Sequence, residues 1–275
     1  MRAGFLFGLC LGIAASAMWA EAAVPGDPFG NVAAAYLVKV DGREVWERNP
    51  SSRLPPGSLA KMMTALLVLE RADLRSVVTV SPEASRETGT RVGLARGDRM
   101  TVLELLAATL LGSANDACHA LADHIAGSEA KFVARMNVRA RELGLSDTRF
   151  ANACGHDAPG MHSTARDLAR LAETAMGTPV FAKMVGLENG WISTADGGKK
   201  FSLENKNLLI GRYRGAIGVK TGFTGRAGKC LAAVAERDGK RVLLILLNAP
   251  DRWWKAEEIL DAAFTLGSGA PPGRP

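Results

Sequence analysis

The 275-residue chain has little of what metal, redox or nucleic-acid chemistry requires. Its four histidines, His119, His124, His156 and His162, fall in no H-E-x-x-H or other ligand spacing, so no metal and no cofactor is expected and solvated or structural roles suit them. Its four cysteines, Cys10, Cys118, Cys154 and Cys230, include no C-x-x-C pair. No Lys/Arg run accompanies the net charge of +6 and the pI of 9.3, which leaves nucleic acid out and favours acidic partners such as an anionic wall polymer or phospholipid surface. Internal repeats and low-complexity tracts are absent apart from a short Gly/Pro tail from Gly267 to Pro275, of which residues 269–275 are expected to be disordered. A long apolar run broken by no charge occurs once, from Phe5 to Ala17, behind Arg2 and with small-residue sites at Ala15-Ser16-Ala17 and Ala20-Glu21-Ala22. It is short for a membrane span and reads as a signal peptide over residues 1–23, so the chain is expected to be exported. Cys10 lies inside that run and follows Leu9, which gives little support to a lipid-modified cysteine. Export puts Cys118, Cys154 and Cys230 in an oxidising compartment; an odd number leaves at least one thiol free, and whether any of them pair stays open.

With 47% hydrophobic and 23% charged residues, the rest is ordinary folded protein large enough to bury a core. Alternation on either side of Asp41-Gly42 predicts a hairpin over residues 31–47. Helical periodicity follows from Ser58 to about Arg71, Thr101 to Leu111, Asn115 to Ile125, Ala130 to Leu143 and Thr164 to Met176, with caps at Thr101, Ser113, Ser128 and Ser163. Strands return at Ile217–Thr221, Lys229–Glu236 and Arg241–Asn248, and an amphipathic helix runs from Asp251 to Leu266. Two strands, a helical block, three strands and a helix predict an α+β fold, with one antiparallel sheet assembled from both chain ends around an inserted helical region.

Three short motifs carry the chemistry. Ser58 and Lys61 stand at i and i+3 at a helix start, on one face, where a desolvated lysine can take a proton from a hydroxyl that is otherwise a poor nucleophile. Alone, the pair reads as a capping serine beside a surface lysine. Ser113-Ala114-Asn115 and Lys220-Thr221-Gly222 follow in the order of the three elements of penicillin-interacting serine enzymes.

With Ser113–Cys118, the loop from Asn152 to Gly160, Ser163–Leu168 and Asn205-Lys206-Asn207-Leu208-Leu209, the chain resembles the low-molecular-mass penicillin-binding proteins of the D-alanyl-D-alanine carboxypeptidase type over residues 28–266. The resemblance implies a β-lactamase/transpeptidase-like fold and a single catalytic domain over residues 24–268. It implies Ser58 as the acylated nucleophile, Lys61 as the base that activates it when neutral, and the amides of Ser58 and Phe223 as the oxyanion donors. Ser113 would relay a proton to the leaving amine, unless it caps the next helix. Asn115 would contact substrate and Lys61. Lys220, Thr221 and Gly222 would receive the terminal carboxylate, with Lys206 adding charge where relatives often carry arginine.

The implied activity is cleavage of the terminal D-Ala-D-Ala bond of peptidoglycan peptides in the periplasm or outside the membrane, without cofactors, and acylation by β-lactam antibiotics. The chain departs from the family at Cys154, a frequent histidine, and at Phe223, where some carboxypeptidases carry histidine; both bear on turnover and substrate preference. A second β-rich domain and a C-terminal membrane anchor are not expected, because only a short tail follows Leu266. An endopeptidase acting on cross-links uses the same machinery. A β-lactamase would call for an E-x-x-L-N after Asn115 or a Y-x-N at Tyr36 or Tyr213, and neither is there. An inactive wall-binding module is at odds with intact Ser58, Lys61, Ser113, Asn115 and Lys220.

Overall fold

The computed structural model describes residues 26–266, so the expected signal peptide and tail lie outside the described residues. The chain opens with the hairpin of β1 (Ala35–Val40) and β2 (Arg43–Arg48). Its turn residues Asp41 and Gly42 both have positive φ, 48° and 83°, which is the reason Asp-Gly occurs there. A 3-10 turn, Gly57–Ala60, feeds α1 (Lys61–Arg71). Next come β3 (Val77–Thr79), the four-residue α2 (Pro82–Ser85), β4 (Arg99–Thr101), α3 (Val102–Leu110), α4 (Asn115–Ala126), α5 (Glu129–Glu142), α6 (Ala165–Met176) and α7 (Pro179–Val185). The small hairpin of β5 (Asn189–Ser193) and β6 (Lys200–Glu204) precedes β7 (Ala216–Thr224), β8 (Gly228–Arg237), β9 (Lys240–Leu247) and α8 (Arg252–Thr265).

The main sheet has the order β2-β1-β9-β8-β7 and is antiparallel throughout, with Ala35 opposite Leu247 and Val40 opposite Val242. The last strand therefore zips onto the first, as the two-ended sheet expected from sequence requires. Both faces of this sheet are covered. Leu37, Leu243, Ile245 and Leu247 join the core built with α1, whereas Tyr36, Val38, Leu244 and Leu246 pack with Ala256, Ile259 and Leu260 of α8. Side chains alternate faces along a strand, so a strand buried on both sides is apolar throughout, which explains the run Val242–Leu247 in an antiparallel sheet.

Within the helical block α1 is the central element. Every residue from Lys61 to Val68 is buried, and α3, α4, α5, α6 and α7 pack around it. A helical stretch enclosed on all sides lies inside the core, and here that holds its first turn rigid.

Capping follows sequence in two places and departs from it in two. Thr101 and Glu104 form a reciprocal capping box, and Ser128 accepts from the Lys131 amide. The cap expected at Ser163 falls one residue later, on Thr164, whose hydroxyl accepts from the Asp167 amide at 3.0 Å. Ser113 does not cap α4: Ala114 is the N-cap residue, without a side-chain bond, and Ser113 is held at φ 58°. The elements that hydropathy does not reveal, β3, β4, α2, α7 and the β5–β6 hairpin, have three to seven residues each, too short to display a period.

Candidate active site

Ser58 lies in the 3-10 turn and Lys61 is the first residue of α1. At three residues per turn, side chains at i and i+3 eclipse, a closer alignment than an α-helix would give. The Lys61 ammonium nitrogen is 3.0 Å from Ser58 Oγ, 2.7 Å from Asn115 Oδ1 and 2.6 Å from the Cys154 carbonyl oxygen. Burial pulls the Lys61 pKa down to about 7, against the pull of the Glu87 and Asp116 carboxylates, which favour its charge. A neutral amine has two N–H groups and one lone pair. Two carbonyl-type oxygens take the N–H groups, and the lone pair is left for the Ser58 proton.

Asn115 is fixed by its surroundings. Its Nδ2 donates to the Thr88 carbonyl at 2.6 Å and its backbone amide donates to the Thr90 carbonyl at 2.8 Å. The next residue, Asp116, is buried and accepts from the amides of Val92, Gly93 and Leu94, so the loop between α2 and β4 is tied to the first turn of α4. Farther out, Glu87 accepts from or pairs with His119 Nδ1 at 2.6 Å and His156 Nε2 at 2.8 Å. Burial pushes the Glu87 carboxyl up, but these two partners outweigh it and hold it well below the carboxylate range. Ser113 is near the site only by way of this turn; it is buried, two residues before Asn115, and its hydroxyl bonds to none of the described residues.

On the sheet side, Lys220, Thr221 and Gly222 lie on edge strand β7. The backbones of the two halves touch there. A Cβ on Gly222 would stand 3.0 Å from the Pro56 oxygen and 3.2 Å from the Ser58 amide nitrogen, and one on Gly57 would stand 3.4 Å from the Phe223 amide nitrogen. The Ser58 and Phe223 amides are thus neighbours across this seam, as a two-donor oxyanion site needs. Lys220 is buried, and among the described residues its ammonium donates only to the Thr221 carbonyl, at 3.2 Å. Burial lowers its pKa well below the usual range, and the positive charges of Lys61, Arg252 and Lys206 lower it further. Lys206 itself is exposed, as is Phe223. This half of the site is cationic.

Geometry therefore brings Ser58, Lys61 and Asn115 into direct contact and joins the Gly222–Phe223 backbone to the Ser58 turn; Lys220 and Thr221 precede that seam on β7, and exposed Lys206 acts on Lys220 through its charge. Sequence reading gave no role to Arg252, Glu87 or Asp116. Arg252, at the start of α8, donates through Nη1 to the carbonyls of Gly222 at 2.7 Å and Cys230 at 3.1 Å, while its buried Nε has no partner among the described residues. An arginine on the first turn of a helix, where its charge opposes the helix dipole, was the available signal. Cys118 and Cys154 form a disulfide, and Cys230 is free, buried and inert, its thiol pushed up to about 11 by burial. Among the described residues no group of His, Cys, Asp and Glu side chains could hold a metal ion, and no helix is long and apolar enough to cross a membrane.

Comparison with known proteins adds to this geometry. The family model for D-alanyl-D-alanine carboxypeptidase matches residues 25–251. The chain is 36% identical over 240 residues to the D-alanyl-D-alanine carboxypeptidase DacF of Bacillus subtilis, covering 84% of this chain and 61% of that protein, so it spans about three fifths of that relative's length. It is 33% identical over 271 residues to the D-alanyl-D-alanine carboxypeptidase DacB2 of Mycobacterium tuberculosis, covering 93% and 91% of the two chains. The crystal structure of the Streptomyces K15 DD-transpeptidase superposes with a TM-score of 0.80 at 31% identity, over 86% of this chain and 98% of that one.

Proposed function

The chain belongs to the D-alanyl-D-alanine carboxypeptidase family, and on that premise we propose that it is an exported serine DD-peptidase that cleaves the terminal D-Ala-D-Ala bond of peptidoglycan peptides. Residues 24–268 form its catalytic domain. The single observation that carries this reading is a buried lysine, with a pKa near 7, at 3.0 Å from a serine hydroxyl.

In the reaction Ser58 Oγ attacks the carbonyl of the penultimate D-alanine while Lys61 Nζ takes its proton. The oxyanion forms between the amides of Ser58 and Phe223. The proton passes by way of Lys61 and Ser113 to the departing D-alanine amine, and Asn115 keeps Lys61 aligned. Water then enters, loses a proton to the same base, and releases the acyl group. Lys220 and Thr221 hold the substrate's free carboxylate, with Lys206 and Arg252 strengthening the positive field. The carboxylate supplies the counter-charge that buried Lys220 lacks. The disulfide between Cys118 and Cys154 supports an oxidising compartment and hence export.

Incubation with a penicillin followed by mass spectrometry tests the reading: one long-lived adduct on Ser58 is expected, and none on a Ser58→Ala variant. Drug on any other residue, or undiminished labelling of the variant, overturns it. Loss of one alanine from a D-Ala-D-Ala pentapeptide identifies carboxypeptidase action; cleavage of a cross-linked muropeptide alone identifies an endopeptidase.

A further inference from the structure

Both acceptors that orient the Lys61 amine belong to segments cross-linked to each other. Asn115 opens α4, and Cys118 stands three residues later, on the same face of that helix. Cys118 is bonded to Cys154, whose carbonyl is the other acceptor. We propose that the Cys118–Cys154 disulfide is a positioning element of the base: it holds the Cys154 carbonyl and Asn115 Oδ1 as one rigid clamp on Lys61 and keeps water from reaching the amine. This rests on Lys61 acting as the base for Ser58.

The loop around Cys154 has need of such an anchor. It is an irregular segment between α5 and α6 pressed against the nucleophile's own turn: Gly155 has φ 90°, and a Cβ there would stand 2.1 Å from the Gly57 carbonyl oxygen. Only glycine fits that approach, so this stretch cannot be stiffened by larger side chains. Ala153 and Cys154 pack into the core, and hydrogen bonds hold the backbone beside them. Asn152 Oδ1 accepts from the amides of Gly155 and His156, the Ala153 amide donates to Glu129, and the Ala153 carbonyl accepts from Thr64 Oγ1. None of these bonds Cys154 itself to α4. The disulfide does, and both its cysteines are buried, with 0% and 1% of their surface exposed.

The consequence is read at Lys61. The charged groups facing it are Glu87 from the loop before β4, joined to His119 of α4 and His156, then Asp116 of α4, and Lys220 of β7. None of these charges is removed when the cross-link is cut. What changes is the packing that keeps the amine dry, and dryness is the main reason that its pKa is low. Opening the loop therefore raises the pH at which Lys61 becomes neutral.

The test is the pH dependence of the rate constant for acylation by a penicillin, in the Cys118→Ser, Cys154→Ser and doubly substituted chains. The expected result is an acid limb moved up by about one pH unit, which lowers the rate at pH 7 by roughly fivefold and leaves it much closer to wild type at pH 9. Where a variant does not fold, wild-type protein produced and kept in dithiothreitol serves, since it lacks only the S–S bond. The dithiol supplies two electrons and two protons to the two cysteine sulfurs and leaves as its cyclic disulfide. A limb that stays in place, with a lower melting temperature or an equal loss of rate at every pH, overturns the proposal and makes the disulfide a purely structural bond. The acylated residue is mapped in the same samples. Wild type labelled elsewhere than Ser58 refutes the peptidase reading, whereas wild type labelled at Ser58 with an unmoved limb in the variants refutes the clamp alone.

Discussion

The two buried lysines of the site stand in opposite settings. Lys61, on the helical side, is surrounded by oxygen: a serine hydroxyl, an amide oxygen and a backbone carbonyl, with two carboxylates near enough to favour its charge. Lys220, on the sheet side, donates to the Thr221 carbonyl, and the charges that act on it are positive. Both are kept from water by a rigid frame, α1 in one case and β7 in the other. The contrast teaches how one site can use the same residue type twice. Acceptors around Lys61 let it move between amine and ammonium in place, which suits a proton carrier. Cations around Lys220 make an incoming anion the stabilising event, which suits a receptor.

The sharpest break in that comparison is a substitution that preserves charge. Lys61→Arg keeps a cation that stays protonated in proteins, so the variant is expected to fold and to lose penicillin acylation by about 10²- to 10⁴-fold, measured by stopped mixing and mass spectrometry. Near-normal acylation would give the role of base to another group. At Lys220 the expected loss is smaller and depends on the substrate. Amidating the terminal carboxylate should slow wild type by about one to two decades in kcat/KM, the worth of a charge-assisted hydrogen bond at ~1.5–3 kcal/mol, yet slow Lys220→Ala little further. Additive losses in this cycle would mean that Lys220 acts through its field on Ser58 and does not read the carboxylate.

The frame of this contrast was largely legible in the sequence, and its fine adjustment was not. Strands β8 and β9 and helix α8 fall within one residue of where alternation and periodicity put them, and β7 runs only three residues further than expected, because long elements buried on a face must repeat. Ser58 and Lys61 were legible through spacing along one turn. The Cys154 carbonyl was not, since every residue has one and only the folded loop aims it at Lys61. Glu87 and Asp116 act across 26 and 55 positions of chain through charge, a separation over which a linear pattern has no period to offer. Ser113 misled for a physical reason: a serine before a helix is commonly its cap, but φ 58° turns this one out of the capping geometry.

The two lysines also share a stability consequence that can be titrated. Lys61 has a folded pKa of about 7 against ~10.4 when unfolded, so between those values the unfolded chain binds more protons and stability rises with pH. The cost of burying the charge is fully present below pH 7 and is gone above ~10.4. Lys220 acts with the same sign. Between pH 7 and 8.5, chemical unfolding of Lys61→Met should show a slope lower than wild type by about 1 kcal/mol per pH unit. The window stops there because buried Cys230, its thiol raised to about 11, contributes with the opposite sign at higher pH. Equal slopes would mean that Lys61 is not desolvated in solution.

The smallest expected effect concerns Glu87, which reaches Lys61 through space alone. Its charge favours the Lys61 ammonium and so opposes burial. Glu87→Gln removes that charge, lowers the Lys61 pKa and shifts the acid limb of acylation down. At pH 6 the variant should react about two- to threefold faster than wild type, the reverse of the change expected from cutting the disulfide. The gain stays small because His119 answers it. Burial lowers the His119 pKa, and the bond to Glu87, together with the charges of Glu129, Asp123 and Glu87, raises it past that; without the Glu87 carboxylate the ring loses its proton more readily, which withdraws a nearby positive charge and returns part of the shift. The same variant leaves the Lys220 side untouched, so its response to carboxylate amidation should match wild type. A limb that is unmoved or higher in Glu87→Gln would mean that the carboxylate only fastens the loops around His119 and His156, and that Lys61 owes its pKa to burial alone.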